Sequence, residues 1–343
     1  MTQRDIYAFD CGTTNWRLYR LSCEQDANGW PPLSDPQRVA LTTFKGSQLP
    51  TALLLDERNQ VLSYGDNAYE QARDAEWRPS LRDAFKLCLG NLQSVDLLEP
   101  RRRYTHQEAL DYTRLLLEKV INQLGREKHG SLENKSLFLF VHPIHWGKEQ
   151  MNGLLEGEIL PDFAAMVRSC FPEPPRDNVH FVTEPEAALQ SLTQSGQLQK
   201  LGDKMTLVVD VGGGTTDFVA GCWTAAGLQD VRTYGEAHGG GLFDSDLAAY
   251  VAEMLRVPET QRAAVWTELC HYGRELKEAL SRQMRMDESQ PVAMKIMLEV
   301  NGENSAPTVL SQRLQFNQKE FEARTQKTAG SCQGSCRLYL IGL

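Results

Sequence analysis

The chain has 343 residues, a formal net charge of −9 and 41% hydrophobic residues. This length exceeds what one small core needs and predicts one large two-lobed unit or two domains. The acidic balance argues against nucleic acid or an anionic membrane as the main partner. The first ten residues hold no long apolar run of the kind a secretory signal needs, and the eight cysteines follow no disulfide-framework spacing. We therefore expect reduced thiols and a cytoplasmic location.

Apolar alternation and helical periodicity divide the chain into strands and helices. In chain order we predict strands at "IYAFD" and "WRLYRL", a hairpin at "TALLLDERNQVLSYG", a helix at "THQEALDYTRLLLEKVINQLG", a buried strand at "SLFLFVHP", a strand running into a helix at "NVHFVTEPEAALQSLTQSG", strands at "MTLVVD" and "DFVAGCW", a mostly helical stretch over 244–286, and a hairpin at "PVAMKIMLEVNGENSAPTVL". Thr105 can cap the first of these helices, with Glu108 three residues later as in a capping box. We therefore expect an α/β fold.

One motif occurs twice, each time between two short apolar strands. Asp10 begins "DCGTT" in the first hairpin, and Asp210 begins "DVGGGTTD" in the second. Self-similarity of this kind predicts two lobes of similar fold, each with one turn at a shared cleft. For either turn taken alone, the alternative is an ordinary glycine hairpin.

Such turns have a chemistry of their own. Glycines let the backbone turn sharply and let a ligand approach the N–H groups, which can form an anion nest. Threonine hydroxyls add donors. An aspartate beside a phosphate would repel it unless a divalent cation lies between them, and Mg²⁺ bridges phosphates in this way. Two facing Asp–Gly–Thr turns therefore predict a Mg-nucleotide held by its phosphates from both sides.

Five further segments lie between the two turns or after the second one. They are "FKLCLG" at 85–90, "VHP" at 141–143, "TEPEAAL" at 183–189, "HGGGLFDSDL" at 238–247 and "RELKEALS" at 274–281. Together with the turns, this series resembles the ATPase domain of the 70-kDa heat-shock protein family, within the wider actin and sugar-kinase superfamily. The likeness spans about residues 5 to 325.

The resemblance implies a two-lobed actin-like ATPase fold of the ribonuclease H-like type, with two similar lobes around a nucleotide cleft. Lobe I would be residues 1–188, with a helical and hairpin insertion at about 40–125, and lobe II would be residues 189–343, incomplete at its C-terminal end. The ligands implied are ATP or ADP with Mg²⁺.

The resemblance also implies roles for individual residues. Lys86 would offset charge on the γ-phosphate, and Glu184 would orient the attacking water. Asp10 and Asp210 would act with them and, together with Asp217, would hold hydrated Mg²⁺ largely through water. The nucleotide-binding residues would be Gly12, Thr13, Thr14, Asn15, Gly212, Gly213, Gly214, Thr215, Gly240, Gly241, Lys277 and Ser281.

These assignments have structural alternatives. Lys86 can be a surface lysine, Glu184 a helix-start charge that favours the helix dipole, and Lys277 a partner of nearby glutamates. His142 and His145 have no third ligand nearby in the sequence, so packing or hydrogen bonding is favoured over a metal site.

The chain departs from the family pattern at its end. After "LYLIGL" the family continues with a glycine-rich adenosine turn, a linker and a peptide-binding β domain. A frameshift, a gene fragment and a divergent end are all compatible with this sequence. We expect no client-peptide binding by this chain alone.

The leading hypothesis is an ATP-binding domain with Mg-dependent ATP hydrolysis, similar to heat-shock chaperone ATPases and lacking the peptide-binding domain. Co-chaperones or nucleotide-exchange proteins are the protein partners that the resemblance allows. One alternative is a metabolite kinase on the same scaffold, with a sugar or acid as acceptor. The other is an actin-like nucleotide-gated scaffold.

Overall fold

A computed structural model describes much of the chain. The described residues are 2–25, 37–39, 48–74, 76–89, 104–126, 136–144, 160–171, 176–194, 205–224, 227–236, 239–285, 291–301 and 307–326. The chain divides into two compact units, Met1–Ala237 and His238–Leu343. The lobe boundary expected after residue 188 stays a prediction.

The first unit contains most of the strands. Its elements are β1 (Thr2–Cys11), β2 (Asn15–Gln25), β3 (Gln37–Arg38), β4 (Leu49–Pro50), β5 (Ala52–Leu55), β6 (Val61–Tyr64), α1 (Asp66–Gln71), β7 (Leu81–Asp83), α2 (His106–Arg126), β8 (Leu137–His142), α3 (Pro161–Ser169), β9 (Val179–Thr183), α4 (Glu184–Gln194), β10 (Met205–Val211), β11 (Thr216–Thr224) and β12 (Gly227–Glu236). Short 3-10 helices lie at Arg78–Ser80, Phe85–Cys88 and Arg176–Asn178.

The largest sheet has the strand order β3-β2-β1-β8-β9. β1 and β2 form an antiparallel hairpin, whereas β8 runs parallel to β1 and β9 runs parallel to β8. A parallel neighbour needs a long crossover connection, and α2 lies in the connection from the hairpin to β8. The sheet is mixed, with helices in its connections, and the predicted α/β class is confirmed.

Alternation along β8 builds the core of this sheet. Phe138 and Phe140 are buried, while Leu137, Leu139 and Val141, which alternate with them, are only partly buried. The ring of Phe140 stacks on that of Phe9 in β1, with centroids 4.6 Å apart. Phe171 and Phe181 add further aromatic contacts to Phe140. The aromatic contacts therefore cross neighbouring strands, which fixes β1 and β8 against each other.

Helix α2 covers this core as its sequence predicts. Its buried apolar positions include those expected from helical spacing, namely Leu116, Leu117, Val120, Ile121 and Leu124. The Thr105 N–H donates to Glu108 Oε2 at 2.7 Å, and the Glu108 N–H donates to Thr105 Oγ1 at 3.2 Å. The predicted capping box is therefore confirmed.

The second repeated hairpin is also formed. β10, β11 and β12 make an antiparallel sheet in that order, as β1, β2 and β3 do at one side of the largest sheet. In register, Asp10 lies opposite Arg17 and Asp210 lies opposite Asp217. The sequence repeat is thus a repeat of structure, in which Asp10 and Asp210 occupy corresponding positions near the end of the first strand of each hairpin.

The second unit combines helices with one hairpin. Its elements are α5 (Gly240–Leu255), α6 (Glu259–Arg262), α7 (Trp266–Arg285), β13 (Val292–Asn301), β14 (Pro307–Phe316) and α8 over residues 318–326. α5 and α7 pack so closely that a Cβ on Gly273 would lie 2.5 Å from the backbone oxygen of Asp244. β13 and β14 are antiparallel. The helical stretch and the last hairpin are as predicted.

Two features discussed in the sequence analysis fall outside the described residues. They are His145 and the C-terminal segment "LYLIGL". Within the described ranges, no helix combines the length and the apolar character that crossing a membrane requires.

The aromatic core gives a stability prediction. Phe140 is 1% exposed, so Phe140→Ala removes a large buried ring and leaves a cavity. We expect the free energy of unfolding, measured by urea titration, to fall by about 3–5 kcal/mol. Leu62→Ala, at an exposed position of β6, is the matched control and should change it by less than about 1 kcal/mol. Equal losses for the two variants would show that the β8 aromatics are not the core of this unit.

Candidate active site

The first turn, between β1 and β2, is held by a buried threonine. The Thr51 hydroxyl donates to the carbonyl oxygen of Gly12 at 2.8 Å, and the Thr51 N–H donates to that of Thr14 at 2.9 Å. A Cβ at Gly12 would collide with the carbonyl oxygen of Asn15. The turn therefore needs glycine at this position. Cys11, beside it, is buried, and burial raises the pKa of its thiol.

The second turn, between β10 and β11, packs directly on the first. The Gly212 N–H donates to the Thr215 carbonyl at 2.8 Å and closes the turn. A Cβ on Gly213 would lie 2.8 Å from Thr14 side-chain atoms, and one on Gly214 would overlap Thr13 and Leu87. A side chain at either glycine would therefore have to displace side chains of the first turn.

Both turns line one pocket of about 390 Å³, which is within the range of about 300–1,000 Å³ that small-molecule sites occupy. The lining includes most of the residues predicted for the first unit, namely Asp10, Gly12, Thr13, Thr14, Asn15, Lys86, Glu184, Asp210, Gly212, Gly213 and Thr215. The structure thus brings these predicted residues together. Gly214 and Asp217 lie behind the pocket, both of them buried.

Lys86 reaches the pocket from the 3-10 helix Phe85–Cys88. This helix follows Ala84, a non-glycine residue at a left-handed φ of 51°, a conformation that costs energy and is often found at functional sites. The Lys86 Nζ donates to Glu184 Oε1 at 2.8 Å. The two side chains are only 7% and 14% exposed. The surface-lysine alternative is therefore excluded.

The charge on Lys86 follows from its neighbours. Burial alone would lower the pKa of this ammonium group, but the adjacent carboxylates of Glu184 and Asp10 outweigh burial and raise the pKa above its usual value. Lys86 is therefore a fixed positive charge at neutral pH.

Glu184 is positioned by the start of its helix. It is the first residue of α4, directly after β9. The Thr183 N–H donates to Glu186 Oε2 at 3.0 Å, and the Glu186 N–H approaches Thr183 Oγ1 at 3.4 Å. This reciprocal pair is a second capping box. The sequence analysis did not predict it, although the pattern Thr-x-x-Glu is typical of such a box. The helix start is thereby held in place, and Glu184 with it.

Asp217 supports Glu184 from behind. Its side chain is 1% exposed. Its carboxyl accepts from the Ile144 N–H at 3.4 Å and from the Thr215 hydroxyl at 3.2 Å. Burial, and then the charge of Glu184 and a hydrogen bond to it, raise the pKa of Asp217 to about 8. At neutral pH, Asp217 is therefore a neutral acid bonded to Glu184. Its expected place in a metal's water shell stays a prediction.

The two turn aspartates carry charge that the protein only partly compensates. Burial raises the pKa of Asp10, with Lys86 acting against it, and burial together with the charge of Glu184 raises that of Asp210. Carboxylates in such surroundings fit a hydrated Mg²⁺ that is shared with ligand oxygens. Among the described residues, no three His, Cys, Asp or Glu side chains come together as a metal-binding group.

Arg17 is a pocket residue that the sequence reading did not identify. Its Nη1 donates to Asp10 Oδ2 at 3.3 Å. With the Gln48 amide turned to its hydrogen-bonding orientation, the Gln48 oxygen accepts from Arg17 Nε and Nη2 at 3.2 and 3.1 Å. The sequence does contain the information needed to find Arg17, because Asp10 and Arg17 are cross-strand partners once the length of the turn is known.

The remaining predicted residues lie in the second unit. Gly240 and Gly241 begin α5, and Ser281 is exposed on α7. The Lys277 Nζ donates to the Gly240 carbonyl at 2.9 Å and also pairs with Asp244. Arg274 lies 3.5 Å from the same carboxylate, which is 2% exposed. The segment "GGLFD" is thus tied to α7 by ion pairs, and the adenosine role of Lys277 and Ser281 stays a prediction.

Comparison with known proteins does not assign the chain to a family. No family model and no curated protein matches the chain. It is similar to the solved structure of the PPX-GPPA enzyme of Aquifex aeolicus at 11% identity, covering 83% of this chain, with a TM-score of 0.28. The chain spans 64% of the length of that protein.

The state of Asp217 predicts how stability depends on pH. The folded chain keeps a proton that the unfolded chain releases above about pH 4, so unfolding releases it at neutral pH. The free energy of unfolding should therefore fall as pH rises toward 8, by at most about 1.4 kcal/mol per unit between about pH 5 and 7.

Asp217→Asn removes this proton and keeps a donor for Glu184. We expect this variant to lose the downward slope and to gain stability over the parent as pH rises, measured by urea titration from pH 5 to 8. Asp111→Asn, on the surface of α2, controls for the loss of one negative charge. Parallel pH profiles for the parent and Asp217→Asn would refute the neutral-acid assignment.

Proposed function

We propose that this chain binds ATP with Mg²⁺ and hydrolyses it, as an ATPase of the kind found in heat-shock chaperones. The observation that carries the proposal is the direct contact of two Asp–Gly–Thr turns on one pocket that also holds Lys86 and Glu184. Phosphoryl transfer to water needs positioning and charge compensation more than covalent chemistry. Turn N–H groups and a cation held by the aspartates provide these.

Each pocket residue has a distinct task in this proposal. Turn residues Gly12–Asn15 and Gly212–Thr215 bind phosphate oxygens. Asp10 and Asp210 bind the hydrated Mg²⁺, which when bound neutralises phosphate charge. Lys86 stabilises charge on the transferring group from a fixed position.

Glu184 orients the attacking water and accepts its proton. Its carboxylate accepts from Lys86 on one side and is bonded to Asp217 on the other. This double restraint supports a positioning role, since a general base must be held within hydrogen-bond reach of the water.

The direct test is ligand-dependent thermal stability. A ligand that binds only the folded state stabilises it by about 2.7 kcal/mol at a hundredfold excess over its Kd. We expect Mg-ATP and Mg-ADP to raise the melting temperature, and a panel of sugars without nucleotide to leave it unchanged. Phosphate release from ATP without an added acceptor would favour the ATPase over a metabolite kinase. No shift with either nucleotide would remove the proposal.

The proposed role of Glu184 can be separated from binding. Glu184→Gln keeps the size and an acceptor for Lys86 but removes the base, so hydrolysis should slow by about 10²- to 10⁴-fold while the Kd for Mg-ATP changes by less than about tenfold. Turnover is measured by phosphate release and Kd by calorimetry. Glu186→Gln is the control on the same helix turn, because glutamine can still complete the capping box. Unchanged turnover in Glu184→Gln would assign the residue a structural role.

A further inference from the structure

Among the described residues that line the pocket, Lys86 and Arg17 are cationic, and they differ in how firmly they are held. Lys86 is paired with Glu184 with both side chains largely buried. Arg17 is paired with Asp10 at 3.3 Å, with side chains 41% and 34% exposed. Breaking a buried pair leaves an uncompensated buried charge, whereas solvent screens a half-exposed pair and makes its contribution to stability small. Arg17 is therefore the cation that can change partner at little cost.

The geometry of Arg17 suits an anion. Its Nη2 and Nε share the Gln48 oxygen, and this neutral contact holds the guanidinium plane without using its charge. Among the described residues, the guanidinium is ion-paired with Asp10, one of the two aspartates assigned to the cation, and it also acts on the charge of Asp210. When a cation lies at Asp10, the same carboxylate cannot compensate both charges fully. A phosphate group of the ligand is then the natural partner for the guanidinium fork.

We propose that Arg17 is a phosphate-binding residue of this pocket, paired with Asp10 until a polyphosphate ligand enters. The inference rests on the proposed function, since the ligand is taken to be a nucleotide phosphate. Arg17 supplies positive charge whether or not a divalent cation is present. The carboxylates of Asp10, Asp210 and Glu184 oppose a polyphosphate when Mg²⁺ is absent, so the metal-free affinity depends on Arg17 more strongly than the affinity with Mg²⁺ does.

The test measures binding rather than turnover. Calorimetry would give the Kd of ATP and of inorganic tripolyphosphate, each with Mg²⁺ and with EDTA, for the parent, Arg17→Met and Arg20→Met. Arg20 lies on the same strand and pairs with Asp5 at 2.9 Å, so its variant removes the same charge away from the pocket. Circular dichroism and melting temperature verify that each variant is folded.

We expect Arg17→Met to weaken binding of both ligands in EDTA by about tenfold or more, as loss of a charge-assisted hydrogen bond implies. The loss should be smaller with Mg²⁺, and Arg20→Met should bind like the parent. Equal Kd values for the parent and Arg17→Met in EDTA would overturn the inference and leave the proposed function intact. A parent that binds the ligands with Mg²⁺ but not in EDTA would also overturn the inference, and a parent that binds neither ligand under either condition would refute both proposals.

A second background separates phosphate binding from mere support of Asp10. In Asp10→Asn the ion pair is gone, so a supporting role for Arg17 has nothing left to act on. We expect Arg17→Met to weaken metal-free binding of tripolyphosphate in this background by a similar factor. Loss of the effect there would show that Arg17 only orients Asp10. Arg17→Lys, which keeps the charge but not the fork, should fall between the parent and Arg17→Met.

Discussion

The contact between the two glycine turns is the constraint on which the site depends. One turn belongs to the large mixed sheet and the other to the β10–β12 sheet. Thr13 and Thr14 lie where side chains of Gly214 and Gly213 would otherwise stand. Because the turns approach so closely, the aspartate near the end of each first strand lines the same pocket. The repeated motif thus produces one site from two hairpins.

Because the turns lie so close together, several carboxylates repel one another in the pocket, and neighbouring residues reduce this repulsion in part. Asp10, Asp210 and Glu184 share a partly buried pocket, and burial raises the pKa of both aspartates. Lys86 compensates Glu184 in a pair that is too buried to exchange. Asp217 stays neutral behind Glu184 and so adds no further negative charge. Among the described residues, the turn aspartates then keep a negative charge that Arg17 offsets only in part, which favours a cationic or mixed ligand over an apolar one.

Local features of the chain were predictable from sequence because local physics decides them. The capping box at Thr105 and Glu108 depends on four consecutive residues, and the turns at Asp10 and Asp210 depend on short apolar flanks and glycines. The same rules could have found the capping box at Thr183 and Glu186, which was overlooked.

Long-range pairings were harder to predict for a physical reason. The contact of Lys86 with Glu184 joins residues that only the crossover topology brings together, and resemblance supplied both residues without their pairing. Arg17 was missed because its partner follows from register, and a change of one residue in the turn would have turned it to the other face. That Asp217 is buried beside Glu184 and has a raised pKa could not be predicted, because no sequence pattern shows burial.

Cys11 lies between Asp10 and Gly12 and is buried at the start of the first turn. Burial raises the pKa of its thiol. Only the thiolate reacts with alkylating reagents, so the closed turn protects this sulfur by both access and ionisation. Its reactivity then reports the small population of molecules in which the β1–β2 hairpin end has opened. The chain consequently carries, between two residues that line the pocket, a native probe of how often this hairpin end opens and of how far a bound ligand suppresses the opening.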